Sequence, residues 1–252
     1  MAGEQKIFRI HLDVIDSTNR YARDEYDEIR ALACDAAIMA VTADTQTAGR
    51  GQRGNRWFSQ PGENILLSII VEPYFLSPTR QFVLSQAIAL AVRDTMAQYS
   101  IIAQLKWPND IYVGKGKLAG ILVELDYESD YIAKAIIGVG LNVNQIEFTP
   151  MERLPVSMRL LRGRVFDVNV VINSLLQSFA HRFSQIKECN SSLDGEYKHS
   201  LIGWRQPMNY KDALGDFEAV IEDVESDGHL LLRCTTDGSL RRYAFKEVEL
   251  CM

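Results

Sequence analysis

The chain has 252 residues, 47% of them hydrophobic and 24% charged, and carries a formal net charge of −6 at pH 7. That composition supports one substantial core and a small second one, and the acidic balance argues against a general nucleic-acid binder while leaving room for a local basic pocket. No apolar run is long enough for a membrane span, and the first residues lack a signal-peptide pattern.

Residues 7–14 (IFRIHLDV) partly alternate as a half-buried strand does, and Asp16-Ser17-Thr18 offers helix N-caps ahead of NRYARDEY. Residues 36–43 (AAIMAVTA) read as a buried strand running into AGRGQRGNRW at 48–57. A turn at Gln60-Pro61-Gly62-Glu63 precedes a strand over 64–71 (NILLSIIV). Thr79 to Tyr99 reads as a long amphipathic helix with Phe82, Ala89, Val92 and Met96 near one face. A short strand at 103–107, a turn at Pro108-Asn109 and two strands joined around Gly114-Lys115-Gly116 follow, and 133–144 continues the sheet. Residues 147–166 read as irregular and 168–188 as a helix. Beyond 203 the segments FEAVIEDV, HLLLRCTT and LRRYAFKEVEL are strand-like, with hairpin signals at Asp227-Gly228 and Asp237-Gly238. The expected class is α+β: a mixed, mostly antiparallel sheet with helices over 1–200, and a small β-barrel-like module over 201–252. The cysteines (Cys34, Cys189, Cys234, Cys251) form no CxxC pair and the histidines are scattered, so a structural zinc site is not expected and the thiols read as reduced, in a cytoplasmic protein.

Three arginines and three glycines fall within residues 48–57. Glycine permits bends and close backbone approach, and arginine presents a planar fork to phosphate or carboxylate, so the segment suits an anion-holding loop. Gly49-x-Gly51-x-x-Gly54 spells a dinucleotide fingerprint, but no helix follows whose N-terminus could meet a pyrophosphate, and no GxxxxGK[ST] is present. A solvated basic surface loop is the competing reading. In KWPNDIYVGKGKLAGILVE (106–124), Asp110 sits at a strand end, projected rather than packed, and Lys117, seven residues on, can face the same cleft across the hairpin. A surface ion pair would fit the same spacing. In IIGVGLNVNQ (136–145), two glycines within an apolar strand mark close approach by a ligand or a neighbouring chain, and Asn142 and Asn144 bring amides into the run. The alternative there is a bulge with satisfied amides.

Taken together and in order, Asp16-Ser17-Thr18-Asn19, GRGQRGNRW, KWPNDIYVGKGKLAGILVE and GVGLNVN resemble the biotin protein ligases over nearly the whole chain. The resemblance implies a class II synthetase-like fold with an SH3-like C-terminal cap. It also implies ATP- and Mg²⁺-dependent activation of biotin to biotinyl-5′-AMP, and transfer to a lysine of a biotin carboxyl carrier domain. Matched position by position, Ser17, Thr18, Asn19, Gln46 and Gly49 correspond to biotin-side residues. Arg50, Gly51 and Gln52 correspond to the lid segment, and Gly120 and Gly138 flank the biotin pocket. On the nucleotide side stand Arg50, Arg53, Arg56, Trp57, Lys117 and Asn142, although Trp57 also suits an ordinary core tryptophan. Lys117 and Arg50 match the charge-stabilising cations, and Asp110 orients a metal or the incoming lysine, or simply holds Lys117. The metal ligands are left open, and Lys246 is assigned by position alone.

Gln52 departs from the resemblance, since many members carry Arg or Lys there, which points to weaker adenylate retention or retention shared with Arg53. The motifs begin within the first twenty residues, leaving no room for a winged-helix domain, so no DNA binding is expected and a monomer or weak homodimer is. Lipoate or octanoate ligases and transferases share the fold but carry an RRxSGGG-type loop and lack KWPND. A catalytically dead biotin sensor would lack Lys117 or Arg50.

Overall fold

The computed structural model describes residues 5–148, 154–188 and 192–252, without the Arg53 side chain. The first seven strands are β1 (Ile7–Ile15), β2 (Ile38–Gln46), β3 (Ile65–Val71), β4 (Gln104–Lys106), β5 (Asp110–Val113), β6 (Gly116–Glu128) and β7 (Tyr131–Leu141). They form one mixed sheet in the order β1-β2-β3-β7-β6-β5-β4. Only the β1–β2 pairing in it is parallel, as befits the helical crossover between those strands.

The helices are α1 (Thr18–Asp24), α2 (Tyr26–Ala33), α3 (Phe82–Gln98), α4 (Met158–Arg162), α5 (Val168–Lys187) and α6 (Ser192–His199). Successive side chains of a strand point to opposite faces, and β2 shows it: Met39 and Val41 join a cluster with Ala22, Ile29 and Ala33 of α1 and α2, whereas Ile38 and Ala40 join the main core with α3 and α5. Cover on both faces explains why β2 and β3 read as continuous apolar runs.

Two expectations about helices need correction. The helix expected from Thr79 begins at Phe82, after a short 3₁₀ turn over Pro78–Arg80, and is not amphipathic: every residue from Gln86 to Val92 is buried. The later helices α5 and α6 cover its outer side, which a local pattern does not announce. Within the stretch expected to be irregular, Ser157 caps α4 by accepting the Leu160 N–H, and Gly163 ends it in the left-handed region; residues 149–153 lie outside the description. The helix expected over 168–188 is α5, capped by the Asp167 carboxylate. α6 was not expected at all.

The C-terminal segment forms a five-stranded antiparallel sheet from β8 (Pro207–Asp212), β9 (Gly215–Val224), β10 (Leu230–Cys234), β11 (Leu240–Tyr243) and β12 (Val248–Leu250), in the order β11-β10-β9-β8-β12. β8 escaped the sequence pattern because it opens on Pro207 and is mostly solvated. The expected strand LRRYAFKEVEL is two strands separated by a turn at Ala244–Glu247, in which Lys246 has φ 71°. This sheet is joined to the first by the segment around Lys106. The Trp107 ring lies 5.3 Å from that of Phe245, its Nε1–H donates to the Gly228 carbonyl at 3.0 Å, and Lys106 Nζ donates to the Leu250 carbonyl at 3.1 Å. Cys34, Cys234 and Cys251 are free thiols, and Cys189 lies outside the description. Among the described residues no helix is long and apolar enough to cross a membrane.

Candidate active site

Between the two sheets lies a cleft of about 1300 Å³, above the usual size of a single small-molecule pocket and therefore able to take two substrates side by side. Its wall is built from β3, β6 and β7, from the start of α1, from the loop after β2, and from β8, β9 and β12 of the C-terminal sheet.

The loop after β2 is a small hairpin of its own. Arg50 pairs with Arg56 in an isolated bridge, the Gly51 N–H donates to Asn55 O at 2.7 Å, and Trp57 N–H donates to Gly49 O at 3.1 Å. Its crown is a 3₁₀ turn over Gln52–Gly54. Lys246 of the C-terminal sheet reaches across and donates to the Gln52 carbonyl at 3.3 Å. The assignment of Lys246 by position therefore meets a physical contact: it ties the loop to the second sheet.

The floor is cut by glycines for a definite reason. A Cβ on Gly138 would stand 2.5 Å from Asn19 Oδ1, and one on Gly140 would enter the Trp57 ring. The close approach anticipated in GVGLNVN is thus made by two side chains of this chain, each seated on β7. Trp57 also lies over Gly120, opposite Gly140 in the ladder, and its Nε1–H is buried with no hydrogen-bond partner among the described residues. An unmet buried donor of this kind is costly in a finished core and is expected where a ligand completes the site.

Lys117 and Asp110 meet because β6 is bulged. Asp110 pairs with Gly120 and Ile111 with Ala119, but Tyr112 then pairs with Lys117 rather than Leu118. The extra residue moves Lys117 onto the face of Asp110. Its Nζ lies 2.7 Å from Asp110 Oδ1 and 5.8 Å from the centre of the Trp57 ring. Asp110 is only 7% exposed, which corrects the expectation of a projected side chain: it opens β5 but is packed beneath the lysine.

A chain of hydrogen bonds runs behind the opposite wall. Ser17 occupies the N-cap of α1 but makes no side-chain cap bond, so the local capping rule gives way here. Gln46 Oε1 accepts from the Thr18 N–H at 2.7 Å and from its hydroxyl at 3.1 Å. Ser68 Oγ lies 2.8 Å from Thr18 Oγ1 and 2.5 Å from Asn19 Oδ1. Asn19 Nδ2 donates to Glu124 Oε2 at 2.8 Å, and Glu124 Oε1 receives Arg50 at 2.6 Å and Arg23 at 3.1 Å. Burial, the largest single influence on Glu124, pushes its pKa up, but the Asn19 bond and the two guanidinia outweigh it and hold the carboxyl below its ordinary value. Burial alone pushes the Tyr210 phenol of the C-terminal sheet far up, so it stays neutral against the cleft.

The fold thus brings Ser17, Thr18, Asn19, Gln46, Arg50, Gly51, Gln52, Arg56, Trp57, Asp110, Lys117, Gly120, Gly138, Asn142 and Lys246 to one cleft. Gly49 does not line it; it backs the loop against the Trp57 carbonyl, where a Cβ would clash. The side chain of Arg53 lies outside the description. The Asn142 amide donates to the Val156 carbonyl at 3.0 Å, and Asn144 is bonded both ways to the Phe166 backbone, so these amides brace α4 and the chain after it. Sequence reasoning missed Ser68 and Glu124, and marked Gly140 for close approach without assigning it to the pocket. The signals of the first two were faint: one hydroxyl inside ILLSIIV and one carboxylate after GILV.

Two carboxylate–histidine groups among the described residues could hold an ion, and neither lines the cleft. His11, Asp13 and Asp44 are exposed, and in the group Glu225, Asp227 and His229 the Arg242 guanidinium already pairs with Glu225 at 2.5 Å and Asp227 at 2.7 Å.

A family model described as the biotin/lipoate A/B protein ligase family matches residues 12–142. The bifunctional ligase/repressor BirA of Escherichia coli K12 is 39% identical over 251 residues, covering 95% of this chain and 73% of that protein. The biotin–[acetyl-CoA-carboxylase] ligase of Mycobacterium tuberculosis is 32% identical over 229 residues, covering 88% and 82%. In fold, the chain is similar to a biotin protein ligase from Aquifex aeolicus solved with biotin and ATP, with a TM-score of 0.77, 23% identity and coverage of 97% and 98%. With the sheet order, the glycine-cut floor and the arginine loop all in place, the chain belongs to the biotin/lipoate A/B protein ligase family.

Proposed function

We propose that the protein is a biotin protein ligase. It joins biotin to ATP as biotinyl-5′-AMP and then passes the biotinyl group to one lysine of a biotin carboxyl carrier domain. The observation that carries this reading is the convergence of Lys117 and Arg50 on one cleft beside a pocket of hydroxyls and amides. The division into a catalytic unit over 1–200 and a cap over 201–252 belongs to the same proposal.

In the first step a carboxylate oxygen attacks the α-phosphorus and the bond to the β-phosphate breaks, releasing pyrophosphate. Two anions must meet, and Lys117 and Arg50 supply positive charge where negative charge develops. Ser17, Thr18, Asn19 and Gln46, with Gly120 and Gly138 on the floor, form the biotin side, where a neutral bicyclic urea meets polar partners in an otherwise apolar pocket. Trp57, Arg56, Arg53 and Asn142 form the nucleotide side. In the second step the carrier amine attacks the acyl carbon, AMP leaves, and the amide forms as the nitrogen gives up a proton. Asp110, the carboxylate beside Lys117, orients that amine. Asp110, paired with Lys117 at 2.7 Å, is the residue that would hold a Mg²⁺ ion at this end of the cleft, where the ion would supply partial neutralisation of the ATP phosphates.

The loop carrying Arg50 closes over the mixed anhydride and keeps water from it. The test is incubation with ATP, Mg²⁺ and labelled biotin, with and without a carrier domain, beside a lipoate control. Label on the carrier with biotin only is expected. Label transferred from lipoate instead would replace biotin as the substrate, and binding of biotin without either product would mark a sensor.

A further inference from the structure

Glu124 is a carboxylate at the end of an apolar run of β6, 14% exposed at its side chain, with no role in the chemistry described so far. Unlike Asn19 and Arg50, it does not line the cleft but sits behind its wall. Both of its oxygens are engaged: Oε2 by the Asn19 amide on the floor side, Oε1 by Arg50 of the loop and Arg23 of α1. Through Asn19 and Ser68 it continues to Thr18 and Gln46. A guanidinium has five N–H donors in a fixed fork, so a bond from Arg50 back to Glu124 leaves the fork able to meet an anion arriving from the cleft.

We propose that Glu124 is a positioning residue for adenylation: from behind the wall it sets the Arg50 guanidinium and the Asn19 amide in one register before substrate arrives. The proposal rests on the adenylation reading above. An arginine on a glycine-bearing loop otherwise has many rotamers to lose on binding, and a charge-assisted bond to a fixed carboxylate removes that loss beforehand.

Biotin-dependent ATP–pyrophosphate exchange and biotin affinity are to be measured for wild type, Glu124→Gln, Arg50→Ala and the double variant. The glutamine amide can still accept from Asn19 but lacks the charge that faces Arg50. Loss of one charge-assisted bond corresponds to about a tenfold fall in the exchange kcat, with biotin affinity held within about threefold. In the Arg50→Ala background the same substitution is expected to change kcat less than about twofold, because residues acting as a unit are non-additive. A merely structural brace would lower kcat equally in both backgrounds, and that result overturns the proposal, as does an unchanged Glu124→Gln enzyme. Should Glu124→Gln fail to fold, Glu124→Asp keeps the charge but shortens the reach, and the same non-additivity decides. A wild type with no biotin-dependent exchange strikes the adenylation reading itself, and Glu124's role with it; an active wild type with an indifferent Glu124 strikes only the latter.

Discussion

The floor of the cleft and the loop that faces it solve opposite problems. On the floor, Gly138 and Gly140 lie on β7 in the interior of a seven-stranded sheet, and their missing side chains are filled by Asn19 and Trp57. Position there is set by strand pairing and close packing, leaving little freedom to adapt. The loop is fixed at its base by Gly49–Trp57 and Gly51–Asn55 backbone bonds, while Gly54 at its crown and Asn55 and Arg56 on the returning arm are exposed. Among its long-range contacts are the bonds of Arg50 to Glu124 and of Lys246 to the Gln52 carbonyl. On the proposed function, shape recognition falls to the floor, and the loop adds the charge of Arg50 to that of Lys117 on β6.

The largest effect is expected at the reacting charge. Lys117→Ala removes one preorganised cation and is expected to lower the rate of adenylate formation by about 10²–10³-fold, read by pyrophosphate release. Next come the glycines. Gly138→Ala places a Cβ against Asn19 and is expected to cost about 1–3 kcal/mol of stability and to lower kcat/KM for biotin about tenfold or more, by thermal melts and steady-state kinetics. A smaller effect is expected on the loop: Gln52→Arg adds a charge-assisted partner for the adenylate phosphate and is expected to slow its release by about tenfold in a chase experiment. If Gly138→Ala proved silent while Gln52→Arg abolished biotin binding, the assignment of shape to the floor and charge to the loop would be reversed.

The smallest effect concerns acid stability. The folded-state pKa of Glu124 lies below its ordinary value, so the unfolded chain takes up the proton first as pH falls. Its stabilising contribution is therefore complete above the ordinary carboxylate range and is lost as pH drops through the lowered value. Glu124→Gln has no such dependence, and its acid unfolding midpoint is expected to differ from that of wild type by about a few tenths of a pH unit or less. A glutamine variant that is destabilised at neutral pH by the same amount as at about pH 3, below the ordinary carboxylate range, would deny the linkage.

Much of this site was legible because its signals are local. The spacing of Gly49, Gly51, Gly54 and the arginines, and the hairpin that carries Asp110 and Lys117, can be read within a few residues of each other. Glu124 is different: its partners Asn19 and Arg50 are 105 and 74 residues away, and only the sheet order brings them together. Ser68 likewise reads as one polar residue in an apolar strand until Thr18 and Asn19 are placed beside it. The bulge that turns Lys117 toward Asp110 left no mark in composition, although the pairing it achieves was expected. In the fold, the long buried helix was found but its exposure was misjudged, because the cover comes from α5 and α6 much later in the chain. α6 itself, eight residues with Gly195 among them, offers too little periodicity to be recognised.

The most direct measurement is ATP–pyrophosphate exchange by wild type and Lys117→Ala, with and without biotin and with no carrier domain present. Exchange that needs biotin and is lost in the variant is the expected result, since it places the lysine at a junction of carboxylate and α-phosphate. Exchange independent of biotin, or untouched by Lys117→Ala, would contradict that placement.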